Sequence, residues 1–300
     1  MSRARLIPVG RTLVVSDPAN RLRVVLCADD YAISDAVSDG ILELVAAGRL
    51  SASGAMTTWP QWPSLAARLV AEKARLAIGL HLNLTAGAPL GAMPKLAPGG
   101  LLPGKEPFLL CRAEGAADEI AAEIARQLDR FEDAAGMAPD FVDGHHHVHI
   151  FQPVRRLLIA ELARRYAGQP PLVRDPSERL WRILARRRFM AKAAGISWHA
   201  RRMASDCAAA GIPVNDGFSG FSAFHPATPY TDELDGALTA LGPRPLAMCH
   251  PGRVDAVLAS RDPLAERRVA ELMTLLARRD MGDWLWPCRR DATGRVCWWQ

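Results

Sequence analysis

Short, near-continuous apolar runs alternate along this chain with longer segments whose apolar residues recur every three or four positions. The runs predict strands covered on both faces, and the longer segments predict amphipathic helices. Leu13-Val14-Val15 predicts a short first strand, followed by a turn from Pro18 to Arg21. Arg23 to Ala28 is a fuller strand that ends in Asp29-Asp30, and a helix from about Asp35 to Ala47 runs until Gly48 stops it. Ser53 to Thr57 predicts another strand, about Ser64 to Lys73 a helix, and Leu76 to Thr85 a strand with His81 near its end. Residues 86–110 read as one long irregular loop, of a length that usually forms a lid or binding loop. A helix from about Ala116 to Ala135 carries its apolar stripe at Ile120, Ile124, Leu128 and Phe131 and stops at Gly136.

The apolar pair Phe141-Val142 runs into Asp143-Gly144-His145-His146-His147-Val148-His149, and Pro153 then opens a helix through Arg165. Leu172-Val173-Arg174 predicts a strand. Ser177 to Ala194 predicts a basic amphipathic helix, and His199 to Ala210 a second one. Small and aromatic residues from Gly217 to Phe224, Phe221 among them, suit a loop that lines a pocket. A helix from about Thr231 to Leu241 leads to the apolar run Pro245 to Cys249, which ends in His250 and cannot pass Pro251 as a central strand. Pro263 to Ala277 is the last clear helix, and the tail with Trp284, Trp286, Trp298 and Trp299 resists assignment. The alternation defines an α/β fold, a parallel sheet or barrel of βα units. It is expected as one domain over residues 1–300, with a helical insertion at about 176–213 and an unassigned tail at about 280–300.

Composition narrows the class. At 300 residues and 49% hydrophobic the chain can bury a large core. The net charge of +5 comes from arginines between Arg155 and Arg202, a local feature that is not the footprint of a nucleic-acid binder. The six cysteines lack CxxC spacing, and Cys27 and Cys249 sit in apolar runs, as buried free thiols of a reducing compartment do. Residues 1–22 hold no signal-like apolar run, and no stretch approaches the roughly 20 apolar residues of a spanning helix. The expected location is cytoplasmic.

Four of the eight histidines fall between His145 and His149. In an extended chain Asp143, His145, His147 and His149 would share one face. A solvated run is the bland alternative, and the mid-chain position argues against a tag. Asp29-Asp30 closes a buried strand where one capping carboxylate would suffice, and each needs a counter-charge. His81 alone would read as a core histidine. Together with His250, however, these groups all stand at carboxyl ends of predicted strands, where barrel enzymes keep their active sites. One carboxylate with two imidazoles leaves metal positions open, and such a metal polarises a carbonyl and lowers the pKa of water toward ~7. A second carboxylate serves as base, which suits hydrolysis of an amide or ester. The residues alone leave His145 and His147 open as the third ligand.

Ala28-Asp29-Asp30-Tyr31, Gly79-Leu80-His81-Leu82-Asn83-Leu84-Thr85, the Asp143 to His149 run and Met248-Cys249-His250-Pro251 resemble, in order, the four signature segments of the YdjC/ChbG-type carbohydrate deacetylases. The resemblance spans about residues 23 to 277. It implies an irregular, TIM-like (β/α) barrel and metal-dependent removal of an acetyl group from an N-acetylated sugar. It also implies Asp30, His81 and His145 as ligands of one divalent metal (Mg, Zn, Mn or Co), Asp29 as base, and His250 as the group that protonates the leaving amine or stabilises the intermediate. Tyr31, in place of the usual Phe of an aromatic wall, joins His147, Arg174 and Phe221 as candidate substrate contacts. The arginine-rich segment is longer than in compact members and is similar to the hopanoid-biosynthesis-associated branch, which implies a lipid-linked amino sugar. It is expected as a cover over the barrel mouth with weak membrane-surface contact, or as part of a homodimer contact. The competing readings are a non-haem iron oxygenase using the same His/His/Asp set and an inactive sugar- or metal-binding protein.

Overall fold

The computed structural model describes residues 23–110, 113–222, 224, 228–262 and 265–299. The expected strand at Leu13-Val14-Val15, the turn at Pro18 to Arg21, Cys111 and the expected helix start at Pro263 lie outside the described residues. Strands β1 (Val25–Tyr31), β2 (Ala52–Ala55), β3 (Ala77–Leu82), β4 (Phe141–Gly144), β5 (Leu172–Val173), β6 (Phe218–Ser219) and β7 (Leu246–Cys249) form one sheet in the order β5-β4-β3-β2-β1-β7-β6. Every pairing in it is parallel. The sheet curls until its edges meet through the strand-like segment before β6. Val214 bridges Val173 in parallel, and Val173 N donates to Pro213 O at 2.9 Å. The result is an irregular (β/α) barrel.

The connections are helical. They are α1 (Asp35–Ala46), α2 (Trp62–Val70), α3 (Lys105–Leu110), α4 (Ala117–Ala135), α5 (Val154–Arg165), α6 (Leu180–Arg186), α7 (Met190–Ala200) and α8 (Met203–Ala209), then α9 (Tyr230–Ala237), α10 (Ala256–Arg261), α11 (Ala265–Ala277) and α12 (Met281–Trp284). Ser34 caps α1 by accepting from Val37 N at 3.2 Å, and Gly136 ends α4 in the left-handed region at φ 65°. Three expectations shift here. The single helix expected from Ser177 to Ala194 is two, because Arg187 and Phe189 adopt left-handed backbone (φ 56° and 50°) and Phe189 packs against the interior cluster. The next helix accordingly starts at Met203. The loop at residues 86–110 contains α3, and α10, capped by Asp255, had no sequence counterpart.

Period-two alternation sorts the strand side chains into two layers. Leu26, Ala28, Ile78, Leu80, Val142 and Ala247 join the outer core beneath the helices. Val25, Cys27, Ala77, Phe141, Leu172, Leu246 and Met248 point into the barrel. The lumen is narrow enough that a Cβ on Gly79 would come within 2.6 Å of the Phe141 ring. Continued toward the carboxyl ends, the inward series reaches Asp29, His81, Asp143, Arg174 and His250. Alternation alone thus delivers most of the polar groups to one place.

The tail closes the opposite end. Leu285 bridges Val24, Trp286 N donates to Val24 O at 2.9 Å, and Ser51 Oγ donates to Trp286 O at 2.8 Å. Trp286 stacks on Trp298 with centroids 5.2 Å apart, and Trp298 meets Phe141 edge-on at 6.2 Å. Arg290 grips Asp140 through two 2.7 Å bonds. Trp286, Trp298 and Trp299 therefore floor the barrel at its amino end, while Trp284 packs against the outer core. Cys27, Cys207 and Cys249 are buried free thiols, while Cys288 and Cys297 are half-buried. No helix among the described residues is long and apolar enough to cross a membrane. Trp286→Ala should lower the unfolding free energy by about 3–5 kcal/mol, the usual cost of deleting a buried tryptophan. Urea denaturation measures it, and a loss below ~1 kcal/mol would mean that the floor is ornamental.

Candidate metal and catalytic site

A cavity of about 1060 Å³ opens at the carboxyl ends of the strands, and Asp29, Asp30, His81, His145, His146, His147 and His250 all line it. Two successive strand residues cannot ordinarily face the same way. Here β1 shifts register between Ala28 and Tyr31, and Asp30 takes φ 68°. Left-handed backbone costs an L-residue roughly 1–2 kcal/mol, and aspartate tolerates it better than most. The kink turns both carboxylates toward the cavity. It also sends Tyr31 the other way, into the outer core, where its hydroxyl donates to Leu65 O at 3.0 Å. Tyr31, expected as an aromatic wall for substrate, does not line the cavity.

The histidine run is not extended. β4 stops at Gly144, and His145 to Ile150 form a tight turn in which His146 (φ 54°) and His147 (φ 60°) are left-handed. The four polar residues expected on one face are therefore dispersed. His145 Nδ1 comes to 2.9 Å from Asp30 Oδ1, and His81 Nε2 to 3.3 Å from the same oxygen. His147 instead packs edge-on against Phe218 and Phe221, with its Nδ1 buried and unpartnered. His149 points away, its Nε2 2.9 Å from Arg174 O. The geometry thus brings His145, rather than His147, to Asp30 and His81.

His81 is oriented from behind by Asp143, whose Oδ1 lies 2.6 Å from His81 Nδ1. A carboxylate in this position fixes the imidazole's orientation and raises its basicity, as it does behind metal-binding histidines generally. Gly54 on β2 keeps the space open, since a Cβ there would lie 3.2 Å from His81 Cβ and 3.3 Å from Asp143 Oδ1. Burial opposes charge on His81, but Asp143 and Asp29 outweigh it and lift its pKa to about 10.

Two arginines compensate the carboxylates. Arg174, fully buried beneath the cavity, grips Asp29 at 2.8 and 2.6 Å and reaches Asp143 Oδ2 at 2.5 Å. Burial raises the Asp29 pKa, and Arg174 more than reverses this, leaving the carboxyl well below its usual range. Arg268 Nη2 holds Asp30 Oδ2 at 2.6 Å while its Nε holds Asp262 at the same distance. His250 Nε2 stands 3.9 Å from Asp29 Oδ2, and its backbone N donates to Glu271 at 2.6 Å. Burial pushes the His250 pKa down to about 4, so it is neutral at pH 7. Arg174, expected to touch substrate, lies beneath the cavity as a charge partner. Phe221, expected in the same role, is buried in the interior cluster and does not line the cavity.

Sequence reasoning missed Arg268, although a signal existed. It lies four and seven residues before Leu272 and Leu275, on the buried stripe of α11, where an arginine needs a partner. It also left unassigned Asp143, His146, whose Nδ1 is 2.9 Å from Thr85 Oγ1, and Lys192 of α7 on the cavity wall. The loop after β3 is firmer than a free lid. Gln127 pairs with the Asn83 backbone at 2.9 and 2.7 Å, and Glu123 accepts from Leu90 N and Gly91 N.

The donor set fits a divalent cation. Candidate ligand atoms of Asp30, His81 and His145 all lie within 4.8 Å of one another. Ligands about 2.0–2.2 Å from an ion sit roughly 2.8–3.6 Å apart, a range that includes the 2.9 and 3.3 Å separations. Cys27, Asp29 and Asp143 also cluster, but the Arg174 guanidinium already supplies their positive charge.

Fold and site together define an α/β-barrel protein with a His/Asp cluster at its carboxyl end. More specifically, the chain belongs to the YdjC-like protein family, whose profile matches residues 23–282. It is 34% identical over 145 residues to a chitooligosaccharide deacetylase of Proteus mirabilis (strain HI4320), covering 48% of this chain and 56% of that protein. It is also 34% identical over 169 residues to a carbohydrate deacetylase of Mus musculus, covering 53% and 52%. The matches thus span about half the length of these relatives. A crystal structure from Enterococcus faecalis V583 shares the fold, with TM-score 0.65 and 20% identity over 89% of this chain and 97% of that one.

Arg174→Met should destabilise the protein by about 3–5 kcal/mol at pH 7, because Asp29 and Asp143 are left buried without their counter-charge. The deficit should narrow as pH falls toward 5. Uncompensated buried carboxylates have raised pKa values, so the folded variant binds protons that its unfolded chain does not. Chemical denaturation at the two pH values tests this, and a pH-independent deficit would assign the loss to packing.

Proposed function

We propose that the protein is a metal-dependent carbohydrate N-deacetylase that hydrolyses the acetamido group of an N-acetylated sugar, free or lipid-linked. The observation that carries the reading is the convergence of Asp30, His81 and His145 donor atoms beside the Asp29 and His250 pair at the cavity floor. The names of the relatives, chitooligosaccharide deacetylase and carbohydrate deacetylase, support the same class. The cavity volume, at the upper end of the ~300–1,000 Å³ typical of small-molecule sites, supports a substrate larger than a monosaccharide. The parallel βα scaffold counts against the oxygenase reading, which goes with β-sandwich or double-stranded β-helix scaffolds.

In this reading Asp30, His81 and His145 hold one divalent cation from the Mg, Zn, Mn and Co group. When bound, it polarises the acetyl carbonyl and acidifies water. Arg174 occupies one lone pair on each Asp29 oxygen, which leaves the outer lone pair of Oδ2 free on the His250 side. Asp29 takes the proton of the attacking water. His250, neutral at pH 7 and 3.9 Å from the same carboxylate, receives that proton once the pair closes to hydrogen-bond distance or through one bridging water, and delivers it to the leaving nitrogen as the C–N bond breaks. Acetate and a free amino sugar result. His147 and His146 face the cavity as substrate contacts.

Acetate release from a panel of N-acetylated sugars, with metal removed and restored, tests the activity. His81→Ala should lose the stoichiometric metal that elemental analysis finds in the wild type, and metal resting on His147 and His149 instead would reject the ligand assignment. Asp29→Asn should keep the metal and lose roughly 10²–10⁴ in turnover, as expected for a positioned base. A variant within a few-fold of wild type would remove Asp29 from the mechanism.

A further inference from the structure

Half of the ten exposed large apolar residues among the described residues stand on two adjacent helices, the rest being Leu101 and four residues on or beside α10 and α11. Leu180 (64% exposed), Trp181 (57%), Leu184 (53%) and Trp198 (65%) stand on α6 and α7, with Met190 between them. Both helices lie in the segment that leaves the carboxyl end of β5, on the side of the candidate site. Leu101, also well exposed, comes from the loop after β3 on that same side. α7 is amphipathic in an unusual sense. Ala191, Lys192, Gly195, Ile196 and His199 line the cavity wall, Ala193 and Ala200 are buried, and Met190 and Trp198 face solvent. One short helix thus connects the cavity to the apolar surface. α6 likewise buries Arg182 and Ile183 and turns Leu180, Trp181 and Leu184 outward. Exposed tryptophan and leucine clustered this way cost solubility unless something covers them.

Charge identifies the cover. Between residues 176 and 213 there are eight lysines and arginines against two acidic residues, Glu178 and Asp206. Not all of the basic groups are available. Arg182 and Arg186 are spent internally on Glu178, and Arg186 also donates to Phe218 O at 2.7 Å and to Ala240 O at 3.1 Å. Arg187, Arg188, Arg201 and Arg202 remain exposed beside the apolar face, Arg188 in a surface pair with Asp232. The Arg201 guanidinium lies 4.3 Å from the Trp198 ring centroid. An indole stacked by arginine suits a phospholipid headgroup layer, where the ring enters the interface and the cation meets phosphate.

We propose that the outer face of α6 and α7 docks this protein on an anionic phospholipid surface, with the cavity mouth held beside the bilayer. The inference uses the proposed function only to say which end of the barrel is the mouth. Docking of this kind is peripheral and reversible, and salt weakens it.

Sedimentation with vesicles of phosphatidylglycerol and phosphatidylcholine, against phosphatidylcholine alone, tests it at low and physiological salt. Wild type should bind the anionic vesicles with a blue shift in tryptophan emission, and should bind neutral vesicles weakly. R187Q/R188Q should weaken binding by roughly five-fold per charge removed. W181S/W198S should abolish the blue shift. Both variants should keep the thermal unfolding and the soluble-sugar acetate release of wild type, because all four side chains are solvent-facing. Equal binding of anionic and neutral vesicles, or unchanged binding by both variants, overturns the proposal. A concentration-dependent dimer that W181S/W198S dissolves, without vesicle binding by wild type, assigns the face to a second copy and overturns it as well. Vesicle binding without acetate release from any sugar would leave the docking face standing and count against the deacetylase reading alone.

Discussion

The guanidinium of Arg174 is the constraint on which the site depends. In a parallel barrel every second strand residue points inward, so whatever polar residues continue that series at the strand ends are driven together in a space with little water. Asp29 arrives from β1 and Asp143 from β4, and two buried carboxylates so close could not both stay ionised unaided. Arg174, just past β5, meets both within 2.8 Å. Asp143 meets Arg174 through Oδ2 and turns Oδ1 to His81, which it orients. With Asp29 held ionised, it faces His250 as an anion. One buried cation therefore determines the orientation of a candidate ligand and the charge of a candidate base.

The second constraint is the left-handed backbone at Asp30. Without it, Asp29 and Asp30 would face opposite sides of the sheet, and the second carboxylate would lie among Leu26, Ala28 and Ile78 in the outer core. The strain is held by contacts that converge on Asp30 from three elements. Arg268 comes from α11, His145 from the turn after β4, and His81 from β3. Such strain persists only where surroundings over-determine it, and it is commonest at functional sites. The same kink removes Tyr31 from the cavity, so its aromatic ring serves packing instead.

Much of this was legible in the sequence. Strand runs and helical stripes place β1, β3, β4, β7, α1 and α4 within a few residues, and the inward register of Asp29, His81 and His250 follows from where their strands end. The dispersal of the histidines was not legible. Nothing in the composition of the run says that His146 and His147 turn left-handed, since that conformation depends on Gly144 ending the strand and on what His147 meets. The roles of Arg174 and Phe221 were misplaced for a related reason. A residue at a strand end can face the cavity or underlie it, and only packing decides. The tryptophan tail was unreadable because its partners, Val24, Ser51 and Phe141, are far away in sequence.

The charge balance of the assembled site bears on its chemistry. Four carboxylates, Asp29, Asp30, Asp143 and Asp262, meet two guanidiniums, Arg174 and Arg268, at separations of 2.5 to 2.8 Å. Two negative charges are left over, and His81 stands between Asp30 and Asp143, with its pKa lifted to about 10 against the effect of burial. The cluster therefore has an unmet demand for positive charge at the His81 Nε2 and Asp30 Oδ1 edge. A proton on His81 satisfies that demand in part. A divalent cation bound there would displace the proton and balance the cluster's surplus negative charge, while placing a local positive charge where a developing oxyanion is favoured over a neutral amide. Arg174 and Arg268 make this possible by not neutralising everything.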